Sequence, residues 1–325
     1  MKPAQQCRGG FNMIPDMGDI HTVLNLYGIS GITGIERLSS GYANENYKVT
    51  AQKGVFLYRV CIQQDDIEKI RYEIRVLSAL QKTGFPAAYP VPRTDGGFIS
   101  DSARGRVVVY DFVEGEEPRI DEETAEEIGK HIALLNRFPA DETYSRKNTI
   151  HMEACLDLIN RFKSAPFQYP EIYSYFKGQT DYLIKPLAVT LPRGLIHGDV
   201  FPDNTIFSNG RLAALIDFEE VCVDTLLMEI GMSANGFCFI DNRLEPELLA
   251  SLLSAYHSVR PISAKESHLL YHYIQWAAHG TLSWHLRYAL LYRENPRQLD
   301  RVTELMERVE RLRRSKPPQI KGMNL

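Results

Sequence analysis

The strongest constraint on this chain is a change of hydrophobic period part-way along it. Before Val113, β-branched and aromatic residues gather in short runs at 35–38, 47–50, 55–60, 98–100 and 106–112. Turn-rich stretches at 39–45 and 51–54 separate the first three runs, which is the pattern of successive hairpins. One long helix is predicted inside this set, over 65–81, because Ile67, Ile70, Ile74, Leu77 and Leu80 fall on one face. A shorter helix is expected over 16–27. Beyond Glu114 the period becomes helical, over 122–136, 151–162, 171–184, 246–256, 264–291 and 298–313, with short strands only at 194–197 and 212–218. A β-rich part followed by a mostly helical part makes an α+β fold of two lobes. Residues 1–115 are read as the first lobe and 116–325 as the second, with the border near 113–118.

The densest chemistry lies in LIHGDVFPDNTIF, residues 195–207. A short apolar strand delivers His197, Gly198 and Asp199, Asn204 follows in the same loop, and a second strand ends at Asp217 in LIDFEE. Phosphoryl transfer to an alcohol needs a carboxylate beside the acceptor hydroxyl and hard oxygen ligands for magnesium. That ion usually takes one or two protein carboxylates and fills its other positions with water and phosphate oxygens. Asp199 suits the first task, as the catalytic base, and Asn204 with Asp217 the second. His197 is expected to brace the loop by hydrogen bonds rather than to carry protons.

These segments resemble the catalytic and metal-binding parts of the aminoglycoside phosphotransferase and choline kinase superfamily, which has a protein-kinase-like fold. The resemblance implies ATP and Mg2+ as cofactors. It extends upstream to the turn holding Ser40, Gly41 and Asn46, where the family has its nucleotide loop and where backbone N–H groups can cradle phosphates. The family's phosphate-binding lysine falls on Arg59 here, with Glu73 of the following helix as its partner. Arginine keeps its charge, but its planar fork differs from an ammonium in shape, so nucleotide geometry is where this chain departs from the family. VVVYDFVEG, residues 107–115, resembles the hinge whose backbone pairs with adenine, at Asp111 and Val113.

Within the superfamily the chain is similar to the homoserine kinase branch, through GYANENY, PRGLIHGDVFPDN, the IDF strand end and MEIGMSANGFCF. Homoserine has an ammonium, which suits an acidic cluster made of Glu219, Glu220, Asp224 and Glu229. Its carboxylate needs a basic partner. Where that branch carries arginines, this chain reads WAAHGTLSWHLRY and leaves Arg287. Asp203, Glu219, Glu220 and Arg287 are therefore the candidate substrate contacts. Tyr271, Tyr273, Trp276, Trp284 and Tyr288 are either packing residues of the helical lobe or a cation–π surface for an amine. Other acceptors stay open: choline, ethanolamine, an aminoglycoside or another hydroxylated amino acid. A kinase-like binding protein without turnover is a further alternative, with Arg59 in its favour. A protein kinase fits less well, since Asp217 runs quickly into a helix expected near Asp224, with little room for a peptide-docking segment.

Charge and cysteine usage bound the partners. With 37 Lys plus Arg against 41 Asp plus Glu, net −4, nothing favours nucleic acid or an anionic membrane. The basic stretch at 308–316 reads as a solvated helix end. No apolar run is long enough to span a bilayer, and no apolar stretch follows Lys2 and Arg8 as a secretion signal requires. The five cysteines lack metal-binding spacing. A cytoplasmic protein is expected, with a small amine-bearing alcohol and ATP as its ligands.

Overall fold

The computed structural model describes residues 17–38, 44–62, 66–164, 169–287 and 296–319. The chain divides into two compact units, residues 1–78 with 88–112, and residues 79–87 with 113–325.

The first unit opens with α1 (Met17–Leu26) and continues through β1 (Ile32–Leu38), β2 (Asn44–Ala51), β3 (Gly54–Cys61), α2 (Ile67–Gln81), β4 (Ile99–Ser102) and β5 (Gly105–Asp111). The strands form one antiparallel sheet in the order β1-β2-β3-β5-β4. Alternation sorts its side chains. Tyr47, Val49, Tyr58, Val60, Val107 and Val109 form one buried face with Ile20, Val23 and Leu24 of α1. Arg59 and Tyr110 alternate with that set and belong to the opposite face, where Glu73 of α2 meets them. The five strands and both helices occur where the hydrophobic runs predicted them, with ends differing by a few residues.

The second unit is mostly helical: α3 (Glu122–Asn136), α4 (Met152–Ser164), α5 (Pro170–Leu187), α6 (Leu226–Phe237), α7 (Pro246–Val259), α8 (Ala264–Arg287) and α9 (Pro296–Arg314). Asp121 fixes the start of α3, its Oδ1 accepting from Thr124 N at 2.9 Å. Among the described residues three short strand pairs interrupt the helices: β6 (Arg193–Ile196) with β9 (Cys222–Thr225), β7 (Thr205–Ser208) with β8 (Arg211–Leu215), and β10 (Phe239–Ile240) with β11 (Arg243–Leu244). Residues 222–225, expected as the approach to a helix, are instead a strand, and α6 starts only at Leu226. The segment VCVDT alternates β-branched residues and finds a partner in β6, so the extended form wins.

α6 is buried almost all round. It crosses α8 with backbone against backbone: a Cβ on Gly231 would lie 2.4 Å from Tyr273 O. The aromatics Tyr271, Tyr273 and Trp276 of α8 are buried, each 6% exposed or less, as packing residues of the helical unit. His279 is fully buried, stacked on Phe176 with ring centroids 4.7 Å apart and bonded through Nε2 to Thr180 Oγ1 at 2.9 Å. Tyr288 lies outside the described residues.

Candidate active site

β6 ends at Ile196, and the chain then makes a tight loop whose shape is set by three ties. Gly198 adopts φ +82°, the left-handed region, and a Cβ there would lie 3.0 Å from Glu220 O. Position 198 thus calls for glycine on both counts. The N–H groups of His197 and Gly198 donate to the two carboxylate oxygens of Glu229 on α6, at 2.7 and 3.0 Å. Asn204 closes the far side, its Nδ2 donating to Asp199 Oδ2 at 2.8 Å and to Asp199 O at 2.9 Å.

The second loop is bound to the first through Ile216. Ile216 N donates to Asn204 O at 3.0 Å, and Ile216 O accepts from His197 Nε2 at 2.9 Å. The next residue, Asp217, is thereby delivered beside Asp199 with φ 63° and ψ 63°. A non-glycine residue in this left-handed conformation costs about 1–2 kcal/mol, and aspartate tolerates it better than most. His197 is fully buried, and burial drives its pKa down to about 4, so the ring is neutral. Asp199 N donates to Nδ1 at 3.3 Å, which makes Nε2 the protonated nitrogen, facing Ile216 O. Both ring nitrogens of His197 are thus engaged by main chain of the two loops.

Burial pushes the Asp199 carboxyl up to about 7, the nearby charges of Asp217, Asp203 and Glu220 adding to it, while the Asn204 hydrogen bond pulls the other way. The site holds more negative charge than its own cations offset. Asn204 spends its amide nitrogen on Asp199, which leaves Oδ1 as the oxygen to ligate. One carboxylate at Asp217 and one amide oxygen at Asn204 are hard donors of the kind magnesium takes, and a divalent cation would relieve the surplus charge. The donor set fits that ion. Among the described residues no group of three His, Cys, Asp or Glu side chains converges as a resident metal site.

The acidic residues expected around the site separate into different roles. Glu229 is 0% exposed and committed to the two loop N–H groups, and burial raises its carboxyl to about 7. It is a positioning residue for the loop rather than a surface for an amine. Asp224 accepts from Asn148 Nδ2 at 2.8 Å, and Glu220 from Thr149 Oγ1 at 2.6 Å. Glu219 offers its backbone carbonyl to Arg146 Nη1 at 2.6 Å. Glu219 and Glu220 are half-buried, and Asp203 is exposed. Arg287 is joined to these loops by no hydrogen bond or ion pair among the described residues; its charge is felt by His151 and Cys155 near the start of α4. The sequence reading missed Glu229 as a brace and Arg146, Asn148 and Thr149 altogether. A lone charged residue in the mostly apolar α6 was a readable signal, since a buried carboxylate must find partners. The 146–149 loop offered none.

In the first unit Arg59 and Glu73 are both buried and paired at 3.4 Å. Tyr110 OH donates to Glu73 Oε1 at 3.1 Å, and the Arg59 guanidinium lies 5.1 Å from the Tyr110 ring centroid. Asn46 stands opposite Arg59 in the β2–β3 register. Asp111 ends β5, its N–H donating to Tyr89 O at 2.9 Å, and the half-buried Val113 opens the long segment of the second unit. Ser40 and Gly41 lie outside the described residues.

The architecture is a two-lobed, protein-kinase-like α+β fold, with a small β-rich unit and a mostly helical one. Residues 34–262 match the model of the phosphotransferase enzyme family APH, and the chain belongs to that family. It is similar to homoserine kinases of Brucella anthropi, 29% identical over 257 residues, and of Brucella melitensis, 28% identical over the same length, covering 78% of each chain in both cases. Among solved structures it resembles a microcompartment-associated aminopropanol kinase, with a TM-score of 0.73 and 19% identity over 92% of this chain and 97% of that one. It also resembles the amicoumacin kinase hAmiN bound to AMP-PNP, Ca2+ and amicoumacin, with a TM-score of 0.70 and 13% identity over 91% and 93%. No helix among the described residues is long and apolar enough to cross a membrane.

Proposed function

We propose that the protein is a small-molecule kinase that transfers the γ-phosphate of ATP to the hydroxyl of an amine-bearing metabolite, with L-homoserine as the acceptor. The observation that carries this reading is the pair of tied loops, in which Asn204 holds Asp199 by hydrogen bond and Ile216 brings Asp217 alongside. A non-catalytic binding protein has no need of a half-buried carboxylate poised near neutrality beside two oxygen ligands.

In this reading Asp199 accepts the proton of the acceptor hydroxyl as its oxygen attacks the γ-phosphorus, and the bond to the β-phosphate oxygen breaks. Asn204 and Asp217 hold Mg2+, which when bound supplies positive charge to the phosphate oxygens. Arg59, kept in place by Glu73, reaches phosphate oxygens. Ser40, Gly41 and Asn46 belong to the phosphate loop, and the backbone of Asp111 and Val113 to the adenine contact. Asp203, Glu219 and Glu220 face the acceptor's ammonium, and Arg287 its carboxylate. Homoserine is favoured by the similarity to homoserine kinases over 78% of the chain. The reaction belongs to the cytoplasm, where ATP is available.

The test is magnesium-dependent ATP consumption against L-homoserine, choline, ethanolamine, aminopropanol, hydroxylated amino acids and aminoglycosides. Homoserine should be turned over fastest, and Asp199→Ala should lower kcat by about 10²–10⁴-fold with nucleotide binding retained. A variant that keeps most of its rate refutes Asp199 as the base. Silence across the panel, with ATP bound, refutes the acceptor class.

A further inference from the structure

The basic stretch at the end of α9 is a solvated helix end, as its sequence suggested, at Arg311, Arg313, Arg314 and Lys316, but not at Arg308. Arg308 is 6% exposed. Its Nε donates to Asn242 Oδ1 at 2.7 Å and its Nη1 to Asn235 O at 2.9 Å, with the guanidinium 4.3 Å from the Phe239 ring centroid. Burial and the neighbouring Arg301 lower its pKa only to about 10, so it is charged at neutral pH. Arg308 lines a cavity of about 570 Å³ formed by the β10–β11 hairpin, the first turns of α7 and α8 and the end of α9. That volume is within the range of small-molecule sites.

The lining is one-sided in charge. Arg243, Arg308, Arg311 and Lys316 all contribute, and no Asp or Glu does. Phe239 and Tyr271 supply aromatic wall. Arg308 and Arg311 already bond to protein oxygens, Arg311 to the carbonyls of Asp241 and Asn242 at 3.4 and 3.3 Å. Arg243 and Lys316 make no ion pair among the described residues. Arg308 and Arg311 are paired with Glu304 and Glu307 of α9, at 3.5 and 3.6 Å, which leaves Arg243 and Lys316 as exposed cations at the edge of a partly apolar cavity.

We propose that this cavity binds a small organic anion, whose carboxylate or phosphate group is taken by Arg243 and Lys316 and whose aromatic or aliphatic body rests against Phe239 and Tyr271. The two pre-placed arginines fix the rim and floor of charge, and the two uncommitted cations close on the ligand. The site is made wholly of second-unit residues and shares none with the loops at Asp199 and Asp217.

Calorimetric titration of the full chain with phenyl phosphate, with and without saturating Mg–ADP, tests this. One equivalent is expected to bind in the presence of Mg–ADP, with affinity falling as salt rises. The double variant Arg243→Glu/Lys316→Glu is expected to bind at least about tenfold more weakly while keeping the wild-type melting temperature. Benzyl alcohol, an aromatic body of similar size without the charge, should not compete. Equal affinity in wild type and double variant, no binding at all, or competition by benzyl alcohol each overturns the proposal. The outcome does not depend on which alcohol the enzyme phosphorylates.

Discussion

Replacing Glu229 tests how far the loop carrying His197, Gly198 and Asp199 depends on the carboxylate beneath it. Its two oxygens accept from His197 N and Gly198 N at 2.7 and 3.0 Å, in a position that is 0% exposed. Glu229→Ala leaves both donors buried without acceptors, and each such loss costs about 1–3 kcal/mol, so about 2–6 kcal/mol in all. That is a large share of a stability that is usually about 5–15 kcal/mol, and it corresponds to a fall in Tm on the order of 10 °C. Glu229→Gln keeps one acceptor oxygen and turns an amide nitrogen toward the other donor, so it should fall between the two. The Gln deficit also depends on pH. Burial raises the Glu229 carboxyl from 4.5 to about 7, so the folded protein holds the extra proton between those values. The stability this group contributes is complete below pH 4.5 and is lost as pH rises through about 7. Glutamine does not titrate, so its deficit should narrow from pH 5 to pH 8. Urea unfolding followed by the fluorescence of Trp276 and Trp284 measures this, with kcat measured alongside. A Glu229→Ala loss under about 1 kcal/mol, with kcat unchanged, would refute the brace.

The other expectations concern the two ends of the chemistry. Arg59→Ala leaves the Glu73 carboxylate buried without its guanidinium and should destabilise the first unit by about 3–5 kcal/mol while raising KM for ATP. Arg59→Lys keeps the charge and should hold that KM within about tenfold, as ATP kinetics and thermal melts would show. As a base, Asp199 must be ionised, so kcat/KM should rise with pH along a limb of unit slope. With magnesium bound, the midpoint should lie below the value of about 7 that burial and the neighbouring carboxylates set, because the cation cancels the repulsion from Asp217. A profile that stays flat from pH 5 to pH 8 contradicts this assignment.

Much of this was written locally in the chain. The span of α3 could be read residue by residue because Asp121 caps it and its apolar stripe has a helical period. The Asp199, Asn204 and Asp217 pattern was legible because short strands deliver each residue, and sequence spacing then approximates spatial spacing. What could not be read depends on partners distant in sequence. β9 gains its extended form by pairing with β6 about thirty residues earlier, and a window around Cys222 does not contain that information. Glu229 looked like one of four clustered carboxylates; only the packing of α6 shows that it faces inward to the loop while Glu220 is held by Thr149. The β7–β8 hairpin carried a usable sign, Asn209-Gly210 at φ 53° and 73°, the pair that a tight hairpin turn favours.

The crossing of α6 and α8 at Gly231 bears on how this enzyme can change. No side chain separates the two helices there, so their spacing is fixed by main chain alone, two positions along from the carboxylate that holds the loop. A single methyl group at Gly231 would force α6 and α8 apart, and α6 would carry with it the glutamate that the loop N–H groups bind. The α6 scaffold has little room for substitution, because its contact with α8 is made by main chain and nearly all of its residues are buried.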